Sequence, residues 1–63
     1  CSLDMDGDGV TTATIDGLIS TRVMLGLTGT AVTTGITFPA AATRTNGSAI
    51  RNFLVTHCEM NLP

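Results

Sequence analysis

The sequence predicts a small all-α domain with two main helices, and three observations carry that expectation. Apolar residues recur at helical spacing through Ile15, Leu18, Ile19 and Val23, with Leu25 close behind. The same spacing returns through Ala49, Ile50, Phe53 and Leu54. Turn signals punctuate the space between, at Gly26, Gly29, Pro39 and Asn46-Gly47. With 63 residues, the chain is read as a single domain spanning 1–63.

The first helical pattern is preceded by an unusual stretch. Asp4, Asp6 and Asp8 stand at alternate positions, and Gly9 follows at once. Three carboxylates so close repel one another unless a cation neutralises them. A hard divalent cation takes about six to eight oxygens, and a loop with acids at its first, third and fifth places can wrap one after a sharp glycine turn. The seventh residue, Val10, then offers its backbone carbonyl. The twelfth place holds Ile15, which has no ligating side chain, and Asp16 comes one residue later. Either the loop carries one extra residue or a water closes the site. Asp16 is the only acid between Asp8 and Glu59, which favours the first closure. The expected ligands are Asp4, Asp6, Asp8, Val10 and Asp16, and the expected ion is one calcium. A solvated acidic turn capping a helix would use the same residue types.

Size and charge narrow the function classes. A domain this short usually needs a staple beyond its core. The formal charge is -2, and Arg22, Arg44 and Arg51 are the only Lys or Arg residues. That leaves too little positive charge for a surface that tracks phosphates, so nucleic acid is not an expected partner. No apolar run has the length of a membrane span. The chain begins with Cys1 and is read as a processed or excised unit, with any targeting signal upstream. Cys1 and Cys58 lie near opposite ends and are expected to form a clasp, which places the domain outside the cell, at its surface or in the periplasm.

Leu3 is expected to anchor against the core. The first helix runs from about Ala13 to Leu25, capped by Thr11 or Thr12, with Asp16 in its first turn. Gly17 inside it suggests a close backbone approach, and Gly26 ends it. Residues Thr28 to Thr37 suit a strand by composition, but a single helical turn followed by loop fits better between two helices. Phe38 reads as a core plug, and Ala40 to Ala42 as a short helical turn. Thr45, Asn46 or Ser48 caps the last helix, which runs to His57 or Cys58 and leaves Arg51 and Asn52 outside. His57, the only histidine, has no nucleophile and acid arranged around it by motif, and reads as structural or superficial.

The run from Leu3 to Val10, followed by Ile15-Asp-Gly-Leu-Ile and Val23-Met-Leu-Gly, resembles one calcium-loop-and-helix half of a dockerin. It is also similar to the dockerin-type repeats of large secreted bacterial proteins. The resemblance covers about the first 26 residues and implies an EF-hand-like loop with Asp4, Asp6, Asp8, the Val10 carbonyl and Asp16 as ligands. It implies a water-mediated contact at Thr12 and partner-reading positions at Ala13 and Thr14. A dockerin carries a second acidic loop, and Thr43 to Ser48 has no acid, so the resemblance implies a degenerate repeat in the second half.

Three functions are compatible with these residues. The first is a non-catalytic, calcium-stabilised module that tethers or spaces parts of a larger extracellular protein. The second is docking of a cohesin-like receptor through the helix 13–25 face, with Ser20, Thr21, Arg22 and Met24 as contacts. The third, an enzyme or calcium switch, fits least. The chain offers few convergent polar groups, and Met5, Met24 and Met60 are too scattered for a sensor's groove.

Overall fold

The computed structural model describes all of residues 1–63. It contains helices and turns and no strand. A single π-helical turn at Ala13–Gly17 leads directly into α1, Leu18–Met24. A 3₁₀ turn spans Gly29–Val32, and α2 spans Gly47–His57. The middle segment is therefore one helical turn followed by loop, as its place between two helices suggests.

The π turn falls on the stretch where the calcium-loop reading expects one extra residue before Asp16. Its widened ring is closed by the Gly17 N–H donating to the Thr12 carbonyl at 3.1 Å. Neither Thr11 nor Thr12 caps this helix through its side chain. Thr12 occupies the cap position, and its own N–H donates to Asp16 Oδ2 at 2.8 Å. At the other end Gly26 adopts φ +92°, and the Leu27 N–H reaches back to the Arg22 carbonyl at 3.1 Å, a glycine-centred helix stop. Asn46 caps α2 by accepting the Ala49 N–H at 2.8 Å.

Six residues form the buried core: Met5, Ile19, Val23, Val32, Ile50 and Leu54. Ile15, Ile36, Phe38, Phe53 and Leu62 pack against it from partly buried positions. Two features of the expected stripe differ. Leu18 and Leu25 face solvent, because the inward face follows four-residue steps through Ile15, Ile19 and Val23, and Leu25 lies beyond the last turn. Leu3 is 57 % exposed on the surface lead-in beside Cys1, and Met5 takes the anchoring role instead. Ala40 to Ala42 forms a single hydrogen-bonded turn rather than helix, with the Ala42 N–H donating to the Pro39 carbonyl at 3.0 Å.

Cys1 and Cys58 are bonded, with Cα atoms 4.6 Å apart, and no free cysteine remains. The clasp joins the lead-in of the acidic stretch to the end of α2. No helix is long and apolar enough to cross a membrane.

Two glycines have opposite surroundings. A Cβ on Gly17 would touch only the Ala13 methyl at 3.8 Å, so no close backbone approach requires this glycine. A Cβ on Gly47 would collide with the Gly29 carbonyl, where α2 begins against the 3₁₀ turn. In urea denaturation, Gly17→Ala is expected to stabilise the fold by about 0.5–1 kcal/mol. Gly47→Ala is expected to destabilise it by about 1–3 kcal/mol. Replacing both cysteines by serine closes off the cross-link over 57 residues of separation and should cost about 4 kcal/mol in the same assay.

Candidate metal centre

The acidic stretch folds on itself so that Asp4, Asp6 and Asp8 meet. One carboxylate oxygen from each lies within 4.8 Å of the others. Gly7 and Gly9 make this possible by taking φ +71° and +90°, a region that side-chain-bearing residues rarely enter. These turns point successive N–H groups inward. Asp4 accepts from Gly7 and Asp8 at 3.2 and 3.3 Å through Oδ1, and from Gly9 at 2.9 Å through Oδ2. Asp6 Oδ1 accepts from the Asp8 N–H at 3.4 Å, and Asp8 Oδ1 from the Val10 N–H at 2.9 Å.

Asp16 stands apart from this trio but is tied to it. Asp16 as a residue is 2 % exposed, and its Oδ1 accepts the Met5 N–H at 2.7 Å and the Asp6 N–H at 3.5 Å. The π turn thus brings Asp16 under the loop, where it holds the loop backbone against the first helix. Every hydrogen bond to these four carboxylates comes from a backbone N–H, and none from an arginine.

Two atoms lack partners. Asp6 is completely buried, and its Oδ2 accepts no hydrogen bond. A buried carboxylate oxygen without a donor is costly, and native structures tolerate few of them. The Thr12 hydroxyl, also buried, has no partner either. Val10 is 57 % exposed at the rim, with its N–H turned to Asp8.

The charges respond to this crowding. Burial, reinforced by the Asp4 carboxyl and the charges of Asp16 and Asp8, pushes the Asp6 carboxyl up to about 6. Burial also pushes Asp4 upward, but the Gly9 and Asp8 N–H groups and the neighbouring carboxyls outweigh it, and Asp4 sits below the usual range. Without a cation, the Asp6 carboxyl holds its proton up to about pH 6, while Asp4 gives its proton up below the usual range.

The outer side of the loop is covered by residues the sequence did not single out. Arg44 donates from Nη2 to the Asp4 carbonyl at 2.6 Å and from Nε to the Met5 carbonyl at 2.9 Å. The Thr43 and Arg44 N–H groups both donate to the Asp6 carbonyl at 2.8 Å, and the Thr43 hydroxyl donates to the Gly7 carbonyl at 3.2 Å. The Arg44 guanidinium lies 3.7 Å over the Phe53 ring, which stacks on His57 at 5.2 Å. The only sequence signal was a basic residue in the non-acidic stretch before α2.

Three of the four contacts expected on the helix 13–25 face are engaged internally. Arg22 donates to the carbonyls of Val32 and Thr34 at 3.2 and 2.7 Å, pinning the 3₁₀ turn. Ser20 and Thr21 both donate to the Gly17 carbonyl, at 3.0 and 2.9 Å. Met24 is exposed. His57 is exposed at the end of α2, with Nδ1 2.9 Å from the Thr56 hydroxyl. Comparison with family models, curated proteins and solved structures finds no match.

The raised Asp6 carboxyl sets a pH dependence for the metal-free protein. Between its ordinary value of 3.8 and about 6, the folded chain holds a proton that the unfolded chain has released. Stability is therefore expected to fall as pH rises through that window. Asp4, with its lowered value, acts the opposite way and only below 3.8. Denaturant midpoints measured in chelator across this range should decline for the natural sequence, and Asp6→Asn should flatten the decline.

Proposed function

We propose that Asp4 to Asp16 is a calcium loop, and that the chain is a non-catalytic, calcium-stabilised module of a larger extracellular protein. The carrying observation is the fully buried, unpartnered Asp6 Oδ2 inside a group of three converging carboxylates. A cation at that point satisfies the orphan oxygen and removes the mutual repulsion in one step. All-oxygen donors suit calcium or magnesium, and a loop dense in carboxylates suits the larger ion, which takes more protein oxygens.

The expected shell is Asp4, Asp6, Asp8, the Val10 carbonyl and Asp16. A carboxylate has about four acceptor sites. Three N–H groups occupy sites on Asp4 and three on Asp16, leaving each with capacity for an ion. Asp16 stands apart from the three converging carboxylates, and this spare capacity supports its closing the shell while it keeps the backbone it anchors. Thr12, whose buried hydroxyl lacks a partner, supports a water-mediated contact beside it.

Structural use of the ion follows from the size of the fold. A core of six fully buried residues is small, and an ion bound only by the folded loop adds to stability by mass action. The disulfide is consistent with an oxidising setting, where calcium is a constant presence. The dockerin resemblance fits the same reading through the loop residues alone. Docking of a cohesin-like receptor has less support, because Arg22 is held by the Val32 and Thr34 carbonyls.

Calorimetric titration of the chelator-stripped domain is expected to saturate at about one calcium per chain, the stoichiometry of a single loop. Asp8→Ala should weaken binding by at least roughly tenfold, since affinity follows the count of charged ligands. Glu59→Ala, outside the loop, should bind like the natural sequence. Equal losses from the two substitutions would remove the ligand assignment.

A further inference from the structure

The four carbonyls of Asp4, Met5, Asp6 and Gly7 are all taken by two residues from the other half of the chain, Thr43 and Arg44. Over the same stretch, the N–H groups of Met5 to Val10 are turned toward carboxylates. The loop backbone is thereby sorted, with donors facing the acids and acceptors facing Thr43 and Arg44. Such sorting fixes which way each peptide plane points, and the peptide planes determine where the three carboxylates converge.

We propose that Thr43–Arg44 is a strap that holds the cation loop in its binding conformation before an ion arrives, with Arg44 as the positioning residue that sets calcium affinity. The inference rests on the calcium reading of the loop. Arg44 suits the task because its planar fork spans two successive carbonyls, which a lysine ammonium does not match. Its position over Phe53 locks the fork to α2, so the loop inherits the rigidity of that helix. Gly7 permits the close approach, since a Cβ there would collide with the Thr43 hydroxyl. The acid-free stretch from Thr43 to Ser48 therefore has a task of its own: an internal arginine braces the one loop that keeps its acids.

Two physical effects of Arg44 oppose each other, which makes the proposal decidable. As a nearby positive charge, Arg44 repels calcium, and its removal would tighten binding. As a strap, its removal lowers the fraction of loops that are competent to bind, and apparent affinity falls by that fraction. The hydrogen bonds are charge-assisted and partly buried, so the strap effect is the larger one.

The experiment is calcium titration of the disulfide-bonded chain alongside Arg44→Ala and Arg44→Lys, with amide hydrogen exchange in chelator. Arg44→Ala is expected to bind roughly tenfold or more weakly, the scale of lost charge-assisted hydrogen bonds. Arg44→Lys, which keeps the charge and loses the fork, should fall most of the way to alanine. Exchange at Gly7 to Val10 should quicken in both variants while the amides of α2 stay protected. Should the alanine variant fail to fold, the lysine variant carries the same comparison. Unchanged or tighter binding by Arg44→Ala overturns the strap, as does full rescue by lysine. If the natural sequence takes up no calcium, the cation reading fails, and the affinity role of Arg44 fails with it.

Discussion

A row of backbone carbonyls on the outside of a turn is the constraint on which this small protein depends. Residues 4–7 make no regular secondary structure with one another, so their peptide groups must find partners elsewhere. Thr43 and Arg44 supply those partners on one side and the aspartates supply them on the other. Once both sets are satisfied, Met5 is driven into the core and the three acids have little choice but to converge. Packing and the candidate metal centre are consequences of the same sorted backbone.

The rest of the domain supports that arrangement from three directions. Asp16, lifted into place by the π turn, holds the Met5 and Asp6 N–H groups from below. The disulfide ties the lead-in of the loop to the end of α2. Arg22 and Arg51 do for the middle and tail what Arg44 does for the loop. Arg22 grips the Val32 and Thr34 carbonyls, and Arg51 grips those of Leu27 and Pro63. All three arginines thus donate to backbone outside the two α-helices, a sensible division of labour where the core is too small to hold every loop by burial.

Local rules were enough for the parts governed by neighbouring residues. The two helices, the Asn46 cap and the Gly26 stop follow from spacing and capping chemistry. The Cys1–Cys58 pairing followed from an even count and terminal placement, and the three-aspartate cluster from alternation beside glycines. What local rules missed is set by distant contacts. Leu3 and Leu25 are apolar yet exposed, because the lead-in runs along the surface and the helix ends before Leu25 can turn inward. The placement of Asp16 just past the twelfth loop position was visible in the sequence, but the π turn beneath it depends on the Gly17 N–H reaching the Thr12 carbonyl. The roles of Arg22 and Arg44 depend on chain segments 10 to 40 residues away, which no periodicity encodes.

The central claim is that Asp4, Asp6 and Asp8 converge on a calcium ion within a loop already shaped to receive it. Diffraction from crystals of the disulfide-bonded chain, grown in chelator and then soaked in calcium, tests it most directly. The account predicts one ion at about 2.3–2.6 Å from oxygens of Asp4, Asp6 and Asp8. It also predicts that the peptide planes of residues 4–7 and their bonds to Thr43 and Arg44 are the same before and after the soak. No ion between these carboxylates at millimolar calcium, or a loop that refolds to take one, would contradict it.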